Sequence, residues 1–151
     1  MQAVIREATE SDVGNVVRMG CDFMEKTPYR EQIKPDLARM ETLARNLIGS
    51  PEGRIFVVEM LGKLVGMIVL LLYYQPFSGQ RIAAELAWWM SPEARGTSAG
   101  VRLQRRAEEW ARSSGAEAFD MVAPNEHVAS FYRRLGYVHV EDTYRLNLGG
   151  A

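Results

Sequence analysis

The order of hydrophobic and polar residues predicts several short β-strands in this chain. In each of them apolar and polar residues alternate, or a short apolar run is bounded by turn residues, and both patterns are typical of strands. The short connection Leu61-Gly62-Lys63 predicts that two of the strands form a hairpin. The predicted strands lie around residues 4–5 and at residues 54–60, 64–74, 81–90, 118–122 and, as one or two strands, 137–148.

Four other stretches carry apolar residues at spacings of three and four, the pattern of a helix with one buried face. The first begins at Thr9, where Thr9 and Asp12 match a capping box, and it ends near Glu25. The third and fourth span residues 99–113 and 125–135. The second begins at Pro35, and its predicted buried face consists of Leu37, Met40, Leu43, Ala44 and Leu47.

The order of these elements, β-α-α-β-β-β-α-β-α-β, predicts one α+β domain over residues 1–151 with a mixed, strongly twisted sheet flanked by helices. This order mixes hairpins with one crossover, in which the helix at residues 99–113 connects two strands. A crossover makes residues 81–90 and 118–122 parallel neighbours. Ligands in such sheets bind beyond the carboxyl ends of the parallel strands, and residues 95–100 lie at that end.

The composition narrows the class of protein. Of the 151 residues, 47% are hydrophobic and 25% are charged, with a net charge of -1, as in ordinary globular proteins. This charge does not favour nucleic acid as a partner, and the longest apolar run, residues 64–74, is about half the roughly 20 residues that span a bilayer. The single cysteine, Cys21, and the lack of a secretion signal predict a cytoplasmic protein without a membrane anchor.

Residues 95–100, Arg-Gly-Thr-Ser-Ala-Gly, form a loop of small residues between a predicted strand and a predicted helix. Small residues let the backbone approach a ligand closely, and the first N–H groups of a helix have no partner within it. Both features favour phosphate binding, with Arg95 as a positive charge at the rim. The loop alone also fits a simple strand-to-helix turn, and it lacks the residues of a Walker loop.

Further residues make the phosphate interpretation more specific. Pro92, Arg95, Gly96 and Gly100 surround the loop, and a second group follows downstream: Asn125, Ala129, Phe131, Tyr132, Gly136 and Tyr137. Together these residues resemble the paired motifs of the GNAT superfamily of N-acetyltransferases, in particular its phage-type and bacterial members. The resemblance in element order extends over residues 2–148 and implies the three-layer GNAT-like fold. Ser98 stands where the family usually has glycine, so we expect an altered loop geometry with binding retained.

The resemblance implies acetyl-CoA as acetyl donor, no metal, and direct transfer to a primary amine in a ternary complex. Asn125 would bind an amide of the pantetheine arm, and Tyr132 would donate a proton to the departing thiolate. The structural alternatives are a helix N-cap for Asn125 and a core aromatic for Tyr132. The strand end and the loop would bind the rest of the donor through Trp88, Trp89, Met90, Arg95, Gly96, Thr97, Ser98, Ala99 and Gly100.

A protonated amine needs a base before it can attack a thioester. Glu85 is the candidate, because it is the only acid on the strand that leads into the loop, and alternation places it on the face of Ala87 and Trp89. A carboxylate buried beside tryptophan has a raised pKa, which suits a base. The alternative is a structural glutamate that pairs with Arg81 or is exposed. His127 is expected to be a solvent-exposed helix residue.

The sequence leaves the amine acceptor and a homodimer open. Residues 23–33 and 73–80 form aromatic, proline-containing loops that we expect to shape the acceptor site, with Glu25 and Glu31 attracting a cationic amine. A polyamine-like molecule, an aminoglycoside and a protein N-terminus all fit. The alternative function is a non-catalytic acyl-CoA-binding or regulatory module of the same fold.

Overall fold

Four strands form an antiparallel meander, and a fifth strand extends it in parallel. The computed structural model describes residues 2–149, and its five-stranded sheet has the order β1-β2-β3-β4-β5. Strands β4 and β5 are parallel, which confirms the predicted crossover. The strands are β1 (Val4–Glu7), β2 (Gly53–Met60), β3 (Lys63–Tyr74), β4 (Arg81–Met90) and β5 (Ala118–Asp120).

Helices cover both faces of the sheet, so the fold has three layers, as the sequence predicted. On one face, α3 packs its apolar stripe, including Leu103 and Ala107, onto the central strands. On the other face, α1 and α2 bury Val16, Met19 and Ala44 against β2 and β3. The helices are α1 (Val13–Glu25), α2 (Leu37–Leu47), α3 (Ala99–Ser113) and α4 (Glu126–Arg134).

The start of α1 is fixed by a buried carboxylate. Asp12 accepts a hydrogen bond of 2.7 Å from the backbone N–H of Thr9, as the predicted capping box requires. The same carboxylate lies 2.7 Å from the Arg6 guanidinium of β1. This ion pair lowers the pKa of Asp12 to about 2. The first strand and the first helix are therefore held together by one charged group.

Only the C-terminal half of the predicted buried face of α2 is buried. Ala44 and Leu47 lie in the core, whereas Leu37 is 60% exposed and Leu43 is 46% exposed. The prediction for these two leucines is wrong. Ala44 and Leu47 are the residues of this face that join the core shared with β2 and β3, and Leu47 packs so closely on Gly53 that a Cβ there would lie 2.3 Å from Leu47 Cδ2.

The strands predicted over residues 137–148 do not form. Residues 137–149 form no helix, strand or turn, and no sheet pairing includes any residue beyond β5 in the part of the chain that is described. A strand requires a neighbouring backbone to pair with, and alternation of residue types alone does not supply one. The apolar side chains of this segment are consequently exposed to solvent.

The turn between β2 and β3 suggests a stabilising substitution. Leu61 and Gly62 have φ angles of 53° and 74°, in the left-handed region that asparagine and glycine adopt more readily than leucine. Leu61→Asn should therefore raise the free energy of unfolding by about 0.5–1 kcal/mol. Urea denaturation measures the change. As a control, Gly62→Ala should lower stability by about 1 kcal/mol, and equal stability of all three proteins would contradict the argument.

Candidate active site

Strand β4 carries a β-bulge at Leu86. Consecutive residues of β3 pair with Ala87 and with Glu85, so Leu86 between them has no partner. Leu70, opposite Glu85, belongs to the core beneath α3, whereas Ala87 and Trp89 pack in the core beneath α1 and α2. The prediction that Glu85 shares a face with Ala87 and Trp89 is therefore wrong, because an inserted residue reverses the alternation of faces.

Beyond the bulge, β4 and β5 separate. The two strands pair only where Ile82, Ala83 and Ala84 meet the three residues of β5. From Glu85 to Met90, β4 pairs with β3 on one side, except at Leu86, and within residues 2–149 no strand pairs with it on the other. The open edge of β4 faces the N-terminal end of α3 and the side of α4, and a cleft lies between these three elements.

Glu85 is buried at the point where the strands separate. Only 5% of the residue is exposed, and its carboxylate accepts a hydrogen bond of 3.1 Å from the backbone N–H of Val122. Burial raises the pKa of Glu85 to about 7, although the Val122 hydrogen bond opposes the shift. Arg81 binds the Tyr74 hydroxyl instead, so the alternative of an exposed or Arg81-paired glutamate is wrong.

Tyr132 of α4 contacts the same backbone segment. Its hydroxyl donates a hydrogen bond of 3.0 Å to the carbonyl oxygen of Val122, and its ring stacks near Trp88 with 6.2 Å between ring centroids. Burial, followed by the neighbouring charge of Glu85, raises the pKa of Tyr132 above its usual range. The hydroxyl therefore keeps its proton at neutral pH. The backbone of a single residue, Val122, therefore links a carboxyl group with a pKa of about 7 to a phenol that stays protonated.

The loop at residues 95–100 is held by its own side chains. The Thr97 hydroxyl donates to the carbonyl oxygen of Ala94 at 2.7 Å and accepts from the N–H of Ala99 at 3.2 Å. Gly96 has a φ of 80°, which favours glycine at that position. The first backbone hydrogen bond of α3 is donated by Arg102 to Ser98. The N–H groups of Gly100 and Val101 precede that bond and are left without helical partners.

Arg95 does not extend from the rim as a free charge. Its Nε donates to the carbonyl oxygen of Met90 at 2.9 Å, and its guanidinium lies 4.8 Å from the ring centroid of Trp89. The side chain thus fastens the loop to the end of β4. Its charge still borders the cleft.

The cleft brings most of the predicted donor-binding residues together. It encloses about 250 Å³. Six of the predicted residues line it: Trp88, Met90, Arg95, Gly96, Thr97 and Gly100. Ser98 and Ala99 line an adjoining cavity of about 390 Å³ on the other side of the loop, together with Arg102.

Trp89 and Asn125 are placed elsewhere. The Trp89 ring is buried beneath α1 and α2, on the opposite face from Trp88, as alternation between adjacent residues requires. The Asn125 side chain accepts a hydrogen bond of 3.0 Å from the N–H of Val128 and caps α4. Its structural alternative is therefore confirmed, and its amide N–H groups and one lone pair of its oxygen are left to bind a ligand.

Sequence reasoning missed the wall that α4 contributes. His127, Phe131 and Arg134 line the cleft from one side of this helix. Their spacing of four and three residues was a usable signal, because it places all three on one helical face. Arg134, Arg95 and His127 are the titratable residues of the lining, and the lining contains no carboxylate. The cleft therefore suits an anionic ligand.

Two further features are absent from residues 2–149. No cluster of three or more His, Cys, Asp or Glu side chains is arranged to hold a metal ion. None of the helices in this part of the chain is both long and apolar enough to cross a membrane.

Comparison with known proteins identifies the class. The sequence pattern of the Acetyltransferase (GNAT) family matches residues 19–137, and the chain belongs to this family. It is an acetyl-CoA-dependent N-acetyltransferase.

Individual relatives agree with this assignment. The chain is 26% identical over 145 residues to a thialysine N-epsilon-acetyltransferase of Sus scrofa, covering 88% of this chain and 82% of that protein. Its fold is similar to an acetyltransferase of Trypanosoma brucei, with TM-score 0.74, 22% identity, and coverage of 97% of this chain and 100% of that one. A predicted acetyltransferase of Clostridium acetobutylicum, solved with acetyl-CoA, is also similar, with TM-score 0.79, 15% identity and 97% coverage of both chains.

The raised pKa of Glu85 gives a prediction for stability. The folded protein holds this proton up to about pH 7, whereas the unfolded chain releases it near 4.5. Folding therefore takes up a proton between these values, and the free energy of unfolding falls as pH rises through them, by at most about 3 kcal/mol. Glu85→Gln should match the wild type near pH 4.5 and exceed its stability by about 2–3 kcal/mol at pH 8.

Urea denaturation at both pH values tests this expectation. Glu109→Gln is the matched control, because Glu109 is exposed on α3 and should show no such pH-dependent gain. A stability difference between Glu85→Gln and wild type that is the same at both pH values would show that burial does not perturb Glu85.

Proposed function

We propose that the protein transfers the acetyl group of acetyl-CoA to a primary amine by direct attack, with the donor bound in the cleft between β4, α3 and α4. The observation that carries the proposal is the lining of this cleft. It is cationic and free of carboxylates, and it is bounded by the exposed N–H groups at the start of α3 and by the unpaired edge of β4. Phosphates and a peptide-like arm require these two kinds of partner.

The donor would be held by backbone groups more than by side chains. The N–H groups of Gly100 and Val101 would bind the pyrophosphate, with Arg134 supplying charge from α4. The backbone of residues 88–90 would pair with the amides of the pantetheine arm, as an added strand pairs with a sheet edge. A Cβ added at Gly100 would lie 3.5 Å from Met90 Cγ and 3.9 Å from Trp88 Cζ2, within the cleft itself. The glycine keeps this part of the cleft open.

Glu85 and Tyr132 would move the two protons of the reaction. With a pKa of about 7, Glu85 is ionised often enough at neutral pH to accept the proton of the amine, directly or through water. Tyr132 stays protonated and would give its proton to the departing thiolate, turning its hydroxyl away from the Val122 carbonyl. A protonated acceptor would first lose one proton to solvent. After the neutral amine bonds to the thioester carbonyl, its nitrogen would give a proton to Glu85, the C–S bond would break, and Tyr132 would protonate the departing sulfur, which leaves an amide and a neutral thiol. Return of the proton from Glu85 to Tyr132 through water would restore both groups.

The acceptor we favour is a small molecule with a primary amine. The name of the Sus scrofa relative specifies thialysine, which carries such an amine. In the loop expected to shape this site, the ring centroids of Phe23 and Tyr29 lie 5.7 Å apart. Arg30 lies 3.7 Å from Glu25 and 3.9 Å from Glu31, so these two acids are partly neutralised and attract a cation less than predicted. A protein N-terminus is the alternative acceptor, and we expect the reaction to take place in the cytoplasm.

Gly100 tests the position of the donor. Acetyl-CoA at about one hundred times its dissociation constant should stabilise the wild type by roughly 2.7 kcal/mol. Gly100→Ala introduces only ordinary contacts and should fold normally, while Gly100→Val should remove most of the stabilisation because its methyl groups enter the cleft. Thermal unfolding with and without acetyl-CoA measures both. Gly14→Ala, on an open side of α1, is the control, and an undiminished shift in Gly100→Val would place the donor elsewhere.

The roles of Glu85 and Tyr132 are separable by kinetics. Tyr132→Phe should lower turnover about 10²- to 10⁴-fold with donor binding retained. In the wild type, kcat/KM should rise as pH increases through about 7, because the carboxylate must be ionised. Glu85→Gln should lose this dependence and recover part of its rate with an acceptor amine of lower pKa.

Steady-state rates with a series of amines, under conditions where chemistry limits turnover, provide the measurement. Tyr137→Phe is the control for removal of a buried hydroxyl, because Tyr137 binds Gln104 and not Val122. Wild-type turnover in both Tyr132→Phe and Glu85→Gln would exclude the two assignments and leave proximity as the source of catalysis. Donor binding without turnover in the wild type, across the amine series, would favour the non-catalytic acyl-CoA-binding module instead.

A further inference from the structure

Trp88 of β4 places its indole ring between α3 and α4, within the cleft. The ring stacks near Tyr132 of α4, with 24° between the two planes, and its centroid lies 5.9 Å from that of Phe131. On the side of α3, Trp88 Cζ2 is the ring atom that approaches Gly100, and it would lie 3.9 Å from a Cβ added there. The ring therefore extends from the wall formed by α4 to the first turn of α3.

The indole N–H of Trp88 has no hydrogen-bond partner among residues 2–149, and its nitrogen is buried, so water does not replace the missing acceptor. A buried donor without an acceptor is costly, and most buried polar groups in native proteins have a partner. In tryptophan, Nε1 and Cζ2 are bonded to the same ring carbon. The N–H group of Trp88 therefore lies on the side of the ring that approaches Gly100.

Other N–H groups without partners lie at the same end of the cleft. The N–H groups of Gly100 and Val101 precede the first backbone hydrogen bond of α3 and have no partner within the helix. The dipole of α3 adds a positive potential there, and arginine and histidine side chains line the cleft without a carboxylate. Donors that converge in this way suit a group with several anionic oxygens, such as a phosphate.

Trp89 shows why the position of the N–H matters. Its indole nitrogen is also buried without a partner among the described residues, but its ring belongs to the core beneath α1 and α2. An unpartnered indole alone therefore does not indicate a ligand. Trp88 differs because its N–H shares the cleft with the start of α3.

We propose that the indole N–H of Trp88 donates a hydrogen bond to a phosphate oxygen of bound acetyl-CoA, beside the N–H groups of Gly100 and Val101. The inference rests on the proposed position of the donor in the cleft. Because this N–H carries no water in the free protein, the new bond requires no desolvation of Trp88. The nitrogen is shielded, so the ring turns as the phosphate enters. Since the ring stacks near Tyr132, phosphate binding at one end of the cleft also positions the aromatic surface against which Tyr132 packs.

Fragments of the donor separate its phosphates from its pantetheine arm. ADP carries a pyrophosphate, whereas S-acetylpantetheine carries the arm and the thioester without a phosphate. Trp88→Phe keeps an aromatic ring and removes the N–H, so it should weaken the binding of ADP and of acetyl-CoA about tenfold and change that of S-acetylpantetheine by less than about threefold. Trp110→Phe is the matched control, because Trp110 is a buried tryptophan of α3 outside the cleft, and it should leave all three affinities within about threefold.

NMR titration measures these affinities, including the weak binding of the fragments. Unchanged ADP affinity in Trp88→Phe, or a loss confined to S-acetylpantetheine, would overturn the proposal. If Gly100→Val binds acetyl-CoA as tightly as the wild type does, the proposed donor position is wrong and the inference fails with it. Retained affinity in Trp88→Phe together with lost affinity in Gly100→Val would reject the role of Trp88 alone.

A measurement on the wild type does not depend on the folding of Trp88→Phe. In isotope-labelled protein, saturation with ADP should move the indole proton signal of Trp88 downfield, as a new hydrogen bond to an anion requires. Trp89→Phe and Trp110→Phe identify the Trp88 signal by elimination. An indole signal of Trp88 that stays in place or moves upfield at saturation would contradict the proposal.

Discussion

The hydrogen bond from the N–H of Val122 to the Glu85 carboxylate holds the site together. The ladder between β4 and β5 ends at Ala84, and the bulge at Leu86 then turns β4 away. After that point, the Val122 bond joins the chain beyond β5 to β4. The carbonyl of the same residue accepts the Tyr132 hydroxyl, so the position of α4 depends on it as well. The position of the cleft wall formed by α4 therefore depends on the backbone at Val122.

Burial of Glu85 beside this bond lowers the stability of the fold at neutral pH, and it also gives the carboxyl group the pKa that a base requires. A carboxylate that is buried with a single backbone donor loses most of its hydration, and its charged form becomes costly. That cost moves the pKa of Glu85 into the range where a base is useful. A glutamine in its place would pack equally well without the charge. Under the proposal that Glu85 is the base, its burial exchanges stability at neutral pH for a perturbed pKa, as is common at functional sites.

The sequence predicted the elements well and the details of the site only in part. Strand β4 and helix α3 begin and end at the predicted residues, because proline, glycine and serine mark their boundaries. The face of Glu85 was not predictable, since a bulge depends on pairing with a neighbour and leaves no mark in alternation. The strands predicted after Tyr137 do not form for a related reason. The alternation of residue types there is typical of a strand, but it does not identify a neighbouring backbone to pair with. The presence of His127 and Arg134 on one face of α4, and so on one wall of the cleft, was predictable from their helical spacing.

Strand β5 and helix α4 are attached to the rest of the molecule more weakly than the other elements. The antiparallel meander has long ladders, and α3 packs its apolar stripe onto the central strands, whereas β5 joins the sheet through only three paired positions. Opening of β5 and α4 can therefore take place below the free energy of global unfolding. A ligand in the cleft touches β4 and α3 on one side and α4 on the other, and its binding energy opposes this opening directly. Resistance of residues 118–134 to proteases thus becomes a readout of bound ligand.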